Sequence, residues 1–215
     1  MATRNSNTTD LGPLRYPLAP SPVFWTIQGE GALLGTPMCF VRLAGCSVGC
    51  AACDTDYRVD DRMALTALVD RIHSTVPERF HDSQPWVWIT GGEPTDHDIQ
   101  PLIDALQPWR VALATSGVGG CQWPGVRWMS VSPHKRIDSI SGQQLHGHEL
   151  KLTPGLGSLT WHDCEQVRQW ASSFAWRYLS PLAGSPDDLA RAVSLVTRDP
   201  GWQLTIQAHK EWGLQ

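Results

Sequence analysis

No run in this sequence is apolar for long enough to cross a bilayer, and residues 1–10 hold no apolar core of signal-peptide length. The chain is therefore expected to be cytoplasmic, with no membrane partner. Basic residues are also not in excess: 17 Lys and Arg stand against 21 Asp and Glu, a formal charge of −4. Nucleic-acid binding rests on lysines and arginines that neutralise phosphates, so this balance argues against a large nucleic-acid surface and for a small substrate. There is no internal repeat. Cysteine is scarce, six in 215 residues, yet three of the six stand at 46, 50 and 53. In a reducing compartment such clustering points to a metal or to catalysis before disulfides.

What is present suits one sizeable core: 215 residues with 41% hydrophobic content lie within the range of a single α/β domain. Residues 1–21, polar and rich in Asn, Thr and Pro, read as a flexible N-terminal extension, and 22–215 as one domain. Strands are expected at 23–27, 38–43, 86–89, 111–114, 126–129, 149–152, 176–179 and 202–206. Between them, Leu65, Leu68, Val69, Ile72 and Val76 recur at helical spacing, with Pro77 closing the helix. Ile99, Leu102, Ile103 and Leu106 give a second helical face. Ser185-Pro186-Asp187-Asp188 caps a third, with Leu189, Ala192, Val193 and Val196 as its apolar face. Strands alternating with helices imply a mainly parallel sheet. The tryptophans, 11 in number, mostly fall in strand-like runs and read as core.

The run 38–43 leads straight into Cys46-Ser47-Val48-Gly49-Cys50-Ala51-Ala52-Cys53. An all-cysteine cubane takes four thiolates, so three without an evident fourth imply one iron left for a non-protein ligand. From the cysteines alone a Cys3His zinc site stays open. Each later strand is followed by a turn of small, polar or proline residues: Thr90-Gly91-Gly92-Glu93-Pro94, Thr115-Ser116-Gly117, Ser132-Pro133-His134-Lys135, Ser180-Pro181-Leu182 and Gln207-Ala208-His209-Lys210. Barrel-like α/β folds assemble their active sites from the loops at that end of the strands.

The spacing C-x-x-x-C-x-x-C resembles the radical S-adenosylmethionine superfamily. Together with Trp25-Thr26-Ile27-Gln28-Gly29-Glu30-Gly31, Val41-Arg42-Leu43-Ala44-Gly45-Cys46, Cys53-Asp54-Thr55, Thr90-Gly91-Gly92-Glu93-Pro94 and Gln207-Ala208-His209-Lys210, the chain resembles the 7-carboxy-7-deazaguanine synthases over most of residues 23–215. The resemblance implies an incomplete (β/α) barrel and conversion of 6-carboxy-5,6,7,8-tetrahydropterin to 7-carboxy-7-deazaguanine with loss of ammonia, on the route to queuosine. It implies a 4Fe-4S cluster on Cys46, Cys50 and Cys53, S-adenosylmethionine as cofactor, and magnesium bound through Thr55. It assigns the cofactor to Ala52, Cys53, Asp54, Gly92, Ser132, Pro133, His134, Ser180, Pro181, Leu182 and Ala183. It assigns the pterin to Ile27, Gln28, Gly29, Arg42, Thr90 and the terminal carboxylate of Gln215.

Arg42 offers a planar donor fork suited to a carboxylate, and Glu93 is expected to fix its loop or the cofactor amine rather than act as a base. Three positions depart from the family pattern: Ala52 replaces a common aromatic residue, while His134 and Ser180 stand where relatives often carry Lys and Gln. His209 and Lys210 read as a solvated tail. A flavodoxin-like or ferredoxin-like electron donor and a homodimer are also implied. The alternatives are an activase that makes a glycyl radical on a partner protein, and a non-enzymatic zinc-binding module. If the terminal carboxylate binds substrate, a tag appended after Gln215 lowers turnover more than the same tag before Met1; equal activities remove that assignment.

Overall fold

The computed structural model describes residues 13–135, 145–167 and 171–214. Nine strands form one sheet: β1 (Arg15–Ile27), β2 (Pro37–Leu43), β3 (Asp61–Ala64), β4 (Trp86–Gly91), β5 (Arg110–Thr115), β6 (Val126–Val131), β7 (Glu149–Leu152), β8 (Trp176–Leu179) and β9 (Gln203–Leu204), in the spatial order β3-β1-β2-β4-β5-β6-β7-β8-β9. From β2 to β9 every neighbouring pair is parallel, while β1 lies antiparallel to both β2 and β3. The sheet is open, with β3 and β9 at its edges. The architecture is thus the mainly parallel α/β sheet that the alternation of elements implies, and its open edges agree with the incomplete barrel that the resemblance implies. Among the described residues no helix is long and apolar enough to cross a membrane.

Period-two alternation sorts the strand residues onto two faces. One set, including Val41, Leu43, Val87, Ile89, Val111, Leu113, Leu150 and Leu152, joins Leu68 and Ile72 of α1 (Leu65–Thr75) and Leu102 and Ile103 of α2 (Gln100–Ala105) in the main core. The alternate set is different. Met38, Phe40, Trp88, Ala112 and Ala114 make a smaller apolar cluster on the other face. On the same strands, Arg42 and Thr90 follow Phe40 and Trp88 at period two and are cross-strand partners. The inner face therefore carries the polar residues from which a site can be built.

Three expectations require correction. Residues 15–21 are strand, not extension: Arg15 to Leu18 pair with β3, and Tyr16, Leu18 and Ala19 are buried. Pro17, Pro20 and Pro22 lower strand propensity, but the register of β1 shifts between Leu18 and Val23, and irregular positions are where sheets tolerate proline. Residues 1–12 lie outside the described part. Next, in α4 (Pro186–Val196) the expected face is rotated: Leu189 and Val193 are 42% and 41% exposed, while Ala192 is buried and Leu195 and Val196 pack on the core. The cap is as read, with Ser185 Oγ accepting from Asp188 N at 3.3 Å. Finally, α3 (Trp161–Val167) was not anticipated, although Thr160 and Asp163 form a reciprocal cap at its start. Its Trp161 Nε1 donates to Asp188 Oδ1 at 2.8 Å, pinning α3 to α4.

Ile89 is fully buried in β4, so Ile89→Ala is expected to cost about 2–5 kcal/mol of unfolding free energy. Ser185→Ala should cost about 1 kcal/mol. Urea denaturation of the metal-free chain measures both.

Candidate active site

Loops at the C-terminal ends of the parallel strands surround two adjoining cavities. The first, of about 190 Å³, is lined by Cys46, Cys50 and Cys53, by Gly92 and Glu93 after β4, by Thr115 and Ser116 after β5, and by Ser132 and His134 after β6. The second, of about 160 Å³, is lined by Phe24, Ile27, Gln28, Gly29, Phe40, Arg42, Trp88 and His209. Glu30, Asp54, Thr55, Thr90, Lys151 and Gln207 line both and form the shared wall.

The cysteine loop is held by backbone. Gly92 N donates to Leu43 O at 2.9 Å and Glu93 N to Gly45 O at 3.0 Å, so the turn after β4 lies directly on the entry to the thiol loop. A Cβ at position 92 would stand 1.7 Å from Gly45 O, which is why this position is glycine. Side chains add to the clamp: Asp96 accepts from Ser47 N and Ser47 Oγ, each at 2.7 Å, and His97 Nε2 bonds Ala44 O at 2.8 Å. Glu93, only 2% exposed, accepts from Thr95 N and Oγ1, Thr115 Oγ1, and Ser116 N and Oγ, tying the turns after β4 and β5 together as expected.

The three thiols are free and share one cavity. Burial, then the neighbouring Cys53 and Cys46, push the Cys50 thiol up to about 11, and burial also raises Cys53. Positive iron would offset that penalty on the thiolates. His134 Nδ1 is buried with no protein partner in the same lining, an orphaned polar atom that a bound cofactor can satisfy. Among the described residues no three His, Cys, Asp or Glu side chains converge as a single-ion site needs. Three free thiols lining one cavity are the donor set that a cluster with one iron left for a non-protein ligand would take.

Not every expected residue reaches the cavities. Pro133, Ser180, Pro181, Leu182, Ala183 and Ala52 are absent from both linings; Ser180 is buried with its N–H on Leu152 O, and Ala52 N donates to Leu156 O. Gln215 lies outside the described residues. The tail, however, is no solvated appendage. In α5 (Ala208–Glu211), His209 packs against Gly29, whose added Cβ would stand 2.3 Å from His209 Nδ1, and Lys210 forms an ion pair with Asp54. Burial pushes the Asp54 carboxyl up, but Lys210, a backbone hydrogen bond and Gln207 together hold the group below its ordinary value. Arg42 lies 4.5 Å over the Phe24 ring, and burial lowers its guanidinium.

Sequence reading quoted Glu30 and Gln207 only within motifs and gave neither them nor Lys151 a role, and it assigned Trp88 to the core, although Trp88 also lines the second cavity. A signal existed for Lys151. Glu149 and Lys151 alternate with Leu150 and Leu152 in a central strand, where an inward charge needs a reason.

An open, mainly parallel sheet with a three-thiol loop at the end of its first parallel strand defines a radical S-adenosylmethionine enzyme. No family model matches the sequence. The 7-carboxy-7-deazaguanine synthase of Escherichia coli (strain K12) is 29% identical over 92% of this chain and 98% of its own. That of Bradyrhizobium diazoefficiens is 30% identical over 90% of this chain and 97% of its own. The crystal structure of QueE from Escherichia coli superposes with a TM-score of 0.70 at 25% identity, covering 91% of this chain and 95% of that one. The chain belongs to the 7-carboxy-7-deazaguanine synthase family.

Asp96→Ala removes both side-chain bonds to Ser47 and should speed loss of the reconstituted cluster to a chelator, while Gly92→Ala should lower the iron bound on reconstitution. Iron content and visible absorption report both.

Proposed function

We propose that the chain converts 6-carboxy-5,6,7,8-tetrahydropterin to 7-carboxy-7-deazaguanine with release of ammonia, using the first cavity for cluster and cofactor and the second for the pterin. One observation carries this reading. The described residues that motif resemblance assigns to the pterin, Ile27, Gln28, Gly29, Arg42 and Thr90, all line the second cavity, while the three thiols line the first. When bound, the cluster and S-adenosylmethionine supply an organic radical that takes a hydrogen atom from the pterin.

The chain's own residues hold and orient. Cys46, Cys50 and Cys53 take three irons; Gly92, Ser132 and His134 face the cofactor. Phe24, Phe40 and Trp88 give the pterin ring an apolar floor, and Arg42 presents its donor fork to the pterin carboxylate. Thr55, on the shared wall, would hold a magnesium ion through its hydroxyl, the oxygen donor this hard ion prefers, and the ion would offer positive charge to the substrate carboxylate. Leu214 N donates to His209 O at 2.9 Å, tying the last described residue to the short helix whose His209 lines the second cavity; the motif resemblance alone assigns the terminal carboxylate of Gln215 to the pterin. Electrons come from an external flavodoxin-like or ferredoxin-like donor, the enzyme is a homodimer, and the reducing cytoplasm keeps its thiols free. The described residues from Arg15 onward act as one domain, since a single sheet that includes all of β1 runs through them.

Anaerobically reconstituted protein given the pterin, cofactor and reductant should form the deazapurine, detected by mass spectrometry; no product overturns the reading. Thr55→Ala should raise the magnesium concentration needed for half-maximal turnover, and an unchanged requirement removes Thr55 as ligand.

A further inference from the structure

Lys151 is one of only three lysines, with Lys135 and Lys210, and it stands on a strand buried in the sheet. Alternation in β7 turns Leu150 and Leu152 into the core and sends Lys151 to the opposite face, where it lines both cavities. There it forms an ion pair with Glu30. The second Glu30 oxygen accepts from Gln207 Nε2 at 3.2 Å, and the backbone beside it is fixed by Gly31 N on Thr205 Oγ1 at 2.9 Å and Ala32 N on Glu149 Oε2 at 3.0 Å. Removing two charges from water is costly, and an ion pair is a poor way to stabilise a fold. This one stands on the wall between the two chambers, where the reacting ring has to meet the radical.

The reaction leaves a definite need. Substrate and products differ by ammonia alone, so the conversion is redox-neutral overall, and forming the aromatic five-membered ring requires a proton taken from ring carbon and a proton given to the departing nitrogen. We propose that Glu30 and Lys151 are the base and acid of that elimination, a role that rests on the functional reading above. The Glu30 carboxylate accepts the proton from carbon as the C–H bond breaks and the C=C bond forms. The Lys151 ammonium gives a proton to the amine as the C–N bond breaks, and ammonia leaves. The carboxyl proton of Glu30 then passes to the Lys151 amine along the hydrogen bond they share, restoring both groups.

The electrostatics agree with that starting state. Burial works against both charges and is the largest single influence, but Lys151 with His209 and Gln207 together hold the Glu30 carboxyl below its ordinary value, and Glu30 with Glu149 and Asp54 together hold the Lys151 ammonium above its own. The resting pair therefore has a free carboxylate and a full ammonium at neutral pH. Arg42 cannot take the acid's place, because a guanidinium does not release its proton in a protein.

The test uses reconstituted holoenzyme and a pterin deuterated at the carbon that loses hydrogen. In Lys151→Ala, deazapurine and ammonia formation should fall about 100-fold, while deuterium transfer to the cofactor's adenosyl carbon stays within about threefold. Added methylamine should restore product formation at least about tenfold, as a small ammonium fills the vacated site. Glu30→Gln should show the same split but no response to the amine. The proposal is overturned if Lys151→Ala keeps product formation within about threefold of the parent enzyme, or if methylamine restores nothing. Absence of deuterium transfer in the unsubstituted enzyme would instead defeat the functional reading itself.

Discussion

Two backbone hydrogen bonds, from Gly92 N to Leu43 O and from Glu93 N to Gly45 O, seat the turn after β4 on the mouth of the cysteine loop. Their geometry tolerates no side chain at position 92, because the peptide of Gly45 occupies the space a Cβ would take. From that contact the remainder of the first cavity follows. Glu93, once anchored, gathers the hydroxyls and amides of Thr95, Thr115 and Ser116, and Asp96 reaches over to Ser47 within the thiol loop. A loop of small residues and three thiols has little to fold on by itself. It acquires a shape because a neighbouring strand ends beside it and supplies donors at the right height.

The second cavity has a different origin, in the pleat of the sheet and in the C-terminal segment. Cross-strand partners share a face, so Phe24 and Phe40 stack at 5.2 Å between ring centres, with Trp88 next in line. The open side is closed by residues 207–210: Ala208 N bonds Gly29 O, His209 fills the space that Gly29 leaves, and Gln207 and Lys210 reach Asp54. Residues nearly the whole length of the chain apart thus meet around one small volume.

Much of the fold was legible because its causes are local. The strands at 86–89, 111–114, 149–152 and 176–179 and the helix face led by Leu65 and Leu68 follow from short-range periodicity, and the observed β4, β5, β7, β8 and α1 contain them. The misreadings have equally definite causes. Prolines at 17, 20 and 22 hid the first half of β1, whose stability comes from burial of Tyr16 and Leu18 and from pairing with β3, a strand with no distinctive pattern of its own. In α4 the apolar residues outnumber what one face can bury, so the stripe could not be oriented until β9 and the core beneath it were in place.

The sequence by itself determined the thiol spacing, the order of the turns along the chain and the family to which these motifs point, since each is carried by residues close together in the chain. Tertiary structure alone decided that those turns divide between two chambers, that Glu30 and Lys151, 121 positions apart, share a proton-bearing contact on the wall between them, and that the tail is part of the site. The physical reason is that alternation and spacing say which way a side chain leaves its own backbone. Which distant group it then meets depends on strand order and register, and those are set by burial across the whole sheet.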